Sequence, residues 1–113
     1  PIWSDPAVDE VLSQVESTAV LAAVRSATVG MPASREACAP FLHGQWAFSH
    51  NGVVPNWRTT LTGARTLNLE APTDSAALWL QLHDALATEE PAVALRALVN
   101  AVLALEPDAR LNL

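Results

Sequence analysis

Lysine is absent from the 113 residues, cysteine occurs once, and only 16% of the chain is charged. The six basic residues are all arginine and lie scattered among twelve acidic ones, for a formal net charge of −6. A nucleic-acid surface needs cations clustered against phosphates, so this distribution argues against one, and against acidic lipid for the same reason. Cys38 has no second cysteine to pair with, which fits a reducing, cytoplasmic setting. No apolar run is long enough to span a bilayer and no signal peptide is visible, so no membrane partner is expected. Internal repeats and low-complexity linkers are also missing. What is there is half hydrophobic, too apolar for disorder, and of a length for one domain at most.

Both ends are abrupt. The chain starts at Pro1 without an initiator methionine, and Ala109-Arg110-Leu111-Asn112-Leu113 reads like a strand cut midway. We therefore expect an internal piece of a longer protein, with an exposed sheet edge that favours self-association into a homo-oligomer or aggregate.

Ile2 and Trp3 read as the tail of a strand. Asp5 sits where an N-cap belongs and Pro6 at a first helical position, so a helix is expected to about Glu16, burying Val8, Val11, Leu12 and Val15. Thr18 to Val24 is continuously apolar, the pattern of a strand buried on both faces. It ends at Arg25, and an arginine there needs an anion or carboxylate to meet it. Ser26 to Pro40 reads as an irregular loop of the length that commonly serves function.

Trp46 to Gly52 reads as a strand, with Trp46 and Phe48 on one face and an Asn51-Gly52 turn at its tip. Val53-Val54 begins a return strand, a short helix follows Pro55, and Thr66 to Pro72 connects. Thr73 or Asp74 caps a helix whose stripe holds Ala77, Leu78, Leu80, Gln81, Leu82 and Leu86, with Trp79 on its shoulder. A second helix, from about Glu90 to Leu105 with Pro91 in its first turn, is apolar nearly all round, as a helix buried between layers or against another chain would be. The sum is an α+β sandwich.

Three stretches carry chemistry together: Arg25 in Arg25-Ser26-Ala27-Thr28, Asn51-Gly52 after an aromatic strand, and Thr73-Asp74-Ser75 at a helix start. Taken singly, each has a plain structural reading: a solvated cation, a turn, an N-cap. His43, His50 and His83 lack the spacing of a metal set, so no metal is expected. Ser49 beside His50 is no triad, because strand neighbours point to opposite faces. Trp57 or Trp79 can border a pocket, and nothing in the sequence selects between them.

In order and together, residues 20–28, Ala39-Pro40-Phe41, residues 46–52 and Thr73-Asp74-Ser75 resemble the class II glutamine amidotransferases, enzymes of the N-terminal-nucleophile fold. The similarity is closest to the branch that acts in ergothioneine biosynthesis, hydrolysing γ-glutamyl-hercynylcysteine sulfoxide. The resemblance implies an αββα sandwich, incomplete in this chain, a small-molecule γ-glutamyl substrate and no cofactor. It also implies roles. Arg25 forks onto the α-carboxylate with two parallel charge-assisted bonds, and Asp74 pairs with the α-ammonium. The Asn51 side-chain amide and the Gly52 backbone N–H form the oxyanion hole, where losing one donor costs on the order of 10²–10³ in rate. Gly52 leaves room for the substrate carbonyl. Thr28 and His50 match positions that line the site.

The chain departs from the family in three places. The family's nucleophile is an N-terminal cysteine whose own α-amine is the general base; here Pro1 stands first, and the internal Cys38 has no free α-amine. Ala39-Pro40 stands where many relatives have His-Pro, and Thr73-Asp74-Ser75-Ala76 lacks the glutamate that many have after the third residue. The expectation is that this chain presents part of a site and that catalysis belongs to a longer parent. Two other functions fit the same residues: the glutaminase part of a larger amidotransferase that passes ammonia onward, or a nucleophile-less module that binds γ-glutamyl compounds or amino acids.

Overall fold

The computed structural model describes residues 6–25, 34–61 and 69–113. Within them lie helices α1 (Ala7–Leu12), α2 (Trp57–Thr60), α3 (Asp74–Leu86) and α4 (Pro91–Leu105), a 3-10 turn at Arg35–Ala37, and strands β1 (Phe41–His43) and β2 (Trp46–Phe48).

The core is built on α3. Thr73 is extended at φ −127°, and its hydroxyl accepts the Ala76 N–H at 3.1 Å, so the helix starts where an N-cap residue satisfies an orphan donor. Ala76, Ala77, Leu78, Trp79 and Leu82 are buried on it, with Leu78 fully so. Helix α4 begins equally firmly: the Glu90 carboxylate accepts the N–H groups of Ala92 and Val93 at 3.0 and 3.2 Å, and Pro91 occupies the first turn. Its Ala94, Leu98 and Val102 recur every four residues and are buried, forming the stripe that packs on α3.

Strands β1 and β2 form an antiparallel hairpin in the register Phe41↔Phe48, Leu42↔Ala47, His43↔Trp46. Gly44, the first of its two loop residues, has φ +57°, which a glycine takes without steric penalty. Phe48 stacks on Trp79 with ring centroids 5.5 Å apart, joining the hairpin to α3. Trp79, read from sequence as a shoulder residue, is only 4% exposed for that reason. On the far side of α3, Gln81 donates to the Leu61 carbonyl, tying in the end of the short α2 turn.

Several sequence expectations are overturned. The strand from Trp46 stops at Phe48, and the hairpin turn is Gly44-Gln45 instead of Asn51-Gly52. Neither Asn51 nor Gly52 has positive φ. Their segment bends at Gly52 and is held by the chain terminus: the Asn51 N–H donates to Asn112 O at 2.9 Å, and Val53 and Arg110 exchange bonds at 3.0 and 2.9 Å. The return strand foreseen at Val53-Val54 is this single bridge to Arg110.

Residues 18–24 form no strand, and Val20 and Val24 are 77% and 94% exposed. A strand is stabilised by a ladder partner and a covering layer, and no described segment supplies either. Helix α1 ends at Leu12, short of the expected Glu16, and buries nothing; Val11, Leu12 and Val15 are exposed. Helix α4 is covered on one side only, leaving Val93, Leu95, Leu103 and Leu105 in solvent. The loop before Pro40 contains the 3-10 turn, where the Glu36 backbone N–H and the Ser34 hydroxyl hold the Glu36 carboxyl below the ordinary glutamate range. The expectations for Ile2, Trp3 and Asp5, and for the connector up to Asn68, lie outside the described residues. Among the described residues no helix is long and apolar enough to cross a membrane.

Candidate functional site

The N-terminus of α3, the segment at 49–53 and the irregular residues 22–25 converge on one cleft of about 580 Å³. Arg25, His50, Asn51, Gly52 and Asp74 all line it, so five of the six residues singled out from sequence meet there although they span 49 positions of chain. The sixth, Thr28, lies outside the described residues. Trp57 and Trp79 do not border it.

Asp74 is 7% exposed, and both its carboxylate oxygens are engaged. Oδ2 accepts the buried Val54 N–H at 3.0 Å and Oδ1 accepts the Ser75 N–H at 2.9 Å. The carboxylate therefore locks the segment at 52–54 onto the first turn of α3, where a negative charge also suits the helix dipole. Each carboxylate oxygen retains a further acceptor direction.

His50 is a brace. Its Nδ1 lies 3.0 Å from Ser75 Oγ and its Nε2 lies 3.2 Å from the Arg110 carbonyl oxygen. A carbonyl only accepts, so Nε2 carries a hydrogen; in that tautomer Nδ1 accepts from the Ser75 hydroxyl. One ring thus connects three segments, and both of its nitrogens are occupied by protein.

Gly52 sits against the terminal segment. A Cβ there would overlap the Arg110 carbonyl oxygen and come within 2.9 Å of His50 Nε2. The requirement for glycine is therefore close approach of backbone to backbone, a cause different from the substrate clearance read from sequence. The Asn51 and Val53 N–H groups donate to residues 112 and 110, the chain bends at Gly52 between them, and the next N–H, that of Val54, meets Asp74. No described residue accepts the Gly52 N–H, and the exposed Asn51 amide likewise meets no described partner.

Arg25 is half-buried and donates through one terminal nitrogen to the Ala37 carbonyl at 2.7 Å. One of its five N–H groups is spent on orientation, and no described residue accepts from the others. Cys38, Ser75 and Arg110 also line the cleft. Ser75 was visible in sequence only as part of the helix start. Arg110 was visible only as part of a terminal strand, because nothing local signals that this strand pairs with residues 51–53.

No protein-family model matches the chain. Over all 113 residues it is 43% identical to the γ-glutamyl-hercynylcysteine sulfoxide hydrolase of Mycolicibacterium smegmatis. Proteins of the same name from two strains of Mycobacterium tuberculosis are 50% identical over 54 residues, 48% of this chain and 23% of theirs. The chain is similar to γ-glutamyl-hercynylcysteine sulfoxide hydrolases. It spans 46% of the length of the M. smegmatis protein, about half. The stretch aligned with that protein includes every cleft-lining position, from Ala22 to Arg110.

Proposed function

We propose that this chain carries the γ-glutamyl-recognition half of an amidohydrolase active site, and that the protein to which it belongs hydrolyses γ-glutamyl-hercynylcysteine sulfoxide, releasing glutamate. The observation that carries the reading is the meeting of Arg25, Asn51-Gly52 and Asp74 in one cleft from three distant stretches. The names of the similar mycobacterial proteins supply the substrate. On this reading the fold is the αββα sandwich of class II amidotransferases and the setting is cytoplasmic.

In this reading Arg25, already oriented by the Ala37 carbonyl, takes the α-carboxylate of the γ-glutamyl group through its free N–H groups. Asp74 accepts the α-ammonium on a lone pair that Val54 and Ser75 leave open. That pairing aims the γ-carbonyl at the N–H of Gly52 and the amide of Asn51. When a nucleophile adds to the carbonyl carbon of the γ-glutamyl amide, the carbonyl π electrons move to oxygen, and those two donors stabilise the oxyanion. Collapse expels the amine, which takes up a proton, and water then releases glutamate from the acyl intermediate. Donors held in place beforehand need no reorganisation as the charge develops. His50 acts by holding the 50–53 segment and contributes no bond to substrate.

Calorimetric titration of the 113-residue chain with glutamate tests the recognition half. Heat that saturates in the millimolar range or below, and that disappears in Arg25→Ala, is the expected result. No heat at all, or heat indifferent to Arg25, sinks the proposal.

A further inference from the structure

The charges around the cleft do not balance against a bare γ-glutamyl head. Its lining residues include two arginines, Arg25 and Arg110, and one acid, Asp74, in a chain whose overall charge is −6. A glutamyl head brings one carboxylate and one ammonium, which match Arg25 and Asp74. Arg110 is then left over. It is exposed, and no described acidic side chain pairs with it. Its backbone is held in place, since its N–H and C=O both bond Val53 and its carbonyl also meets His50. The cleft, at about 580 Å³, falls within the range of sites that enclose drug-sized ligands, so it has space for more than a single amino acid.

We propose that Arg110 is a specificity residue that binds an anionic group on the leaving-group side of the substrate, so that the cleft prefers γ-glutamyl conjugates of carboxylate-bearing amines over neutral γ-glutamyl amides. This rests on the assignment of Arg25 and Asp74 to the glutamyl head and adds the second half of the ligand. Arg25 and Arg110 line the cleft from different segments of the chain. Arg25 is fastened to Ala37 and Arg110 to Val53, so one molecule bearing two carboxylates can meet both cations, whereas glutamine, whose leaving group is ammonia, meets only the first. The guanidinium fork suits a carboxylate through two parallel hydrogen bonds.

The test is calorimetric binding of γ-glutamylglycine and γ-glutamylglycinamide to the 113-residue chain, two ligands that differ only in the terminal carboxylate. The native chain is expected to favour the acid by about tenfold, the lower end for a charge-assisted bond near solvent. Added salt is expected to reduce that preference. Arg110→Gln, which keeps every backbone bond at this position, is expected to abolish the preference and leave amide binding unchanged. Arg96→Gln, on α4 and away from the cleft, is expected to retain it. Equal binding of both ligands by the native chain, or a preference surviving in Arg110→Gln, overturns the assignment. If glutamate binds in an Arg25-dependent manner while the two dipeptides are not distinguished, only the Arg110 assignment falls. If none of the three ligands binds, the γ-glutamyl reading falls and takes this one with it.

Discussion

Gly52 and Asp74 hold the site together through backbone contacts, and their substitution separates structural from chemical roles. Gly52→Ala forces a methyl group into the Arg110 carbonyl, which is main chain and cannot swing aside. We expect the Val53–Arg110 bridge to open, with faster hydrogen exchange at those two amides; unchanged protection would show that the terminal segment moves freely. Asp74→Ala leaves the buried Val54 N–H without its acceptor. An unsatisfied buried donor costs about 1–3 kcal/mol. Denaturant melts are expected to show a loss of that size, with Asp74→Asn, which keeps one acceptor oxygen, losing less. If Asp74→Ala melts like the native chain, its two backbone bonds contribute nothing to the fold.

The two long helices differ in how their starts are sealed. Thr73 is 2% exposed and caps α3 from within the core, whereas Glu90 caps α4 from the surface. Removing a cap costs about 0.5–2 kcal/mol. Thr73→Ala is expected at the upper end, because the buried Ala76 N–H loses its acceptor with no water to replace it, and Glu90→Ala at the lower end, because solvent takes over. The thermal midpoints of the two variants check this order, and a larger loss for Glu90→Ala would contradict it. The same asymmetry extends into the helix bodies. Helix α3 is clasped by the hairpin, α2 and α4, whereas α4 meets α3 on one stripe and solvent elsewhere.

Over the whole chain, apolar surface is unevenly disposed. Val20, Val24, Val93, Leu103 and Leu105 are all at least 40% exposed. Apolar side chains in such number favour association, so sedimentation velocity on the isolated chain is expected to show mass rising with concentration. A single monomeric species at all concentrations would contradict this. Much of the architecture around α3 was legible in sequence, because its signals are local: a cap followed by a 3.6-residue stripe, and a proline at the first turn of α4. The continuous apolar run at 18–24 misled, since periodicity reports what a segment would bury and cannot report whether a partner is there to bury it.

Sequence alone was enough to nominate Arg25, Asn51, Gly52 and Asp74, because the three stretches that hold them, each plain by itself, stand together in the order of a family they resemble. Tertiary structure decided what each of them touches. It turned the Asn51-Gly52 pair from a hairpin tip into a bent segment pinned by residues 110–112, made His50 a brace, and brought Arg110 into the cleft. The physical reason is separation along the chain. A cap or a turn is decided by neighbours within four residues, whereas the contacts between residues 50–53 and 110–112 close a loop of nearly sixty, whose cost and reward are invisible to any local pattern.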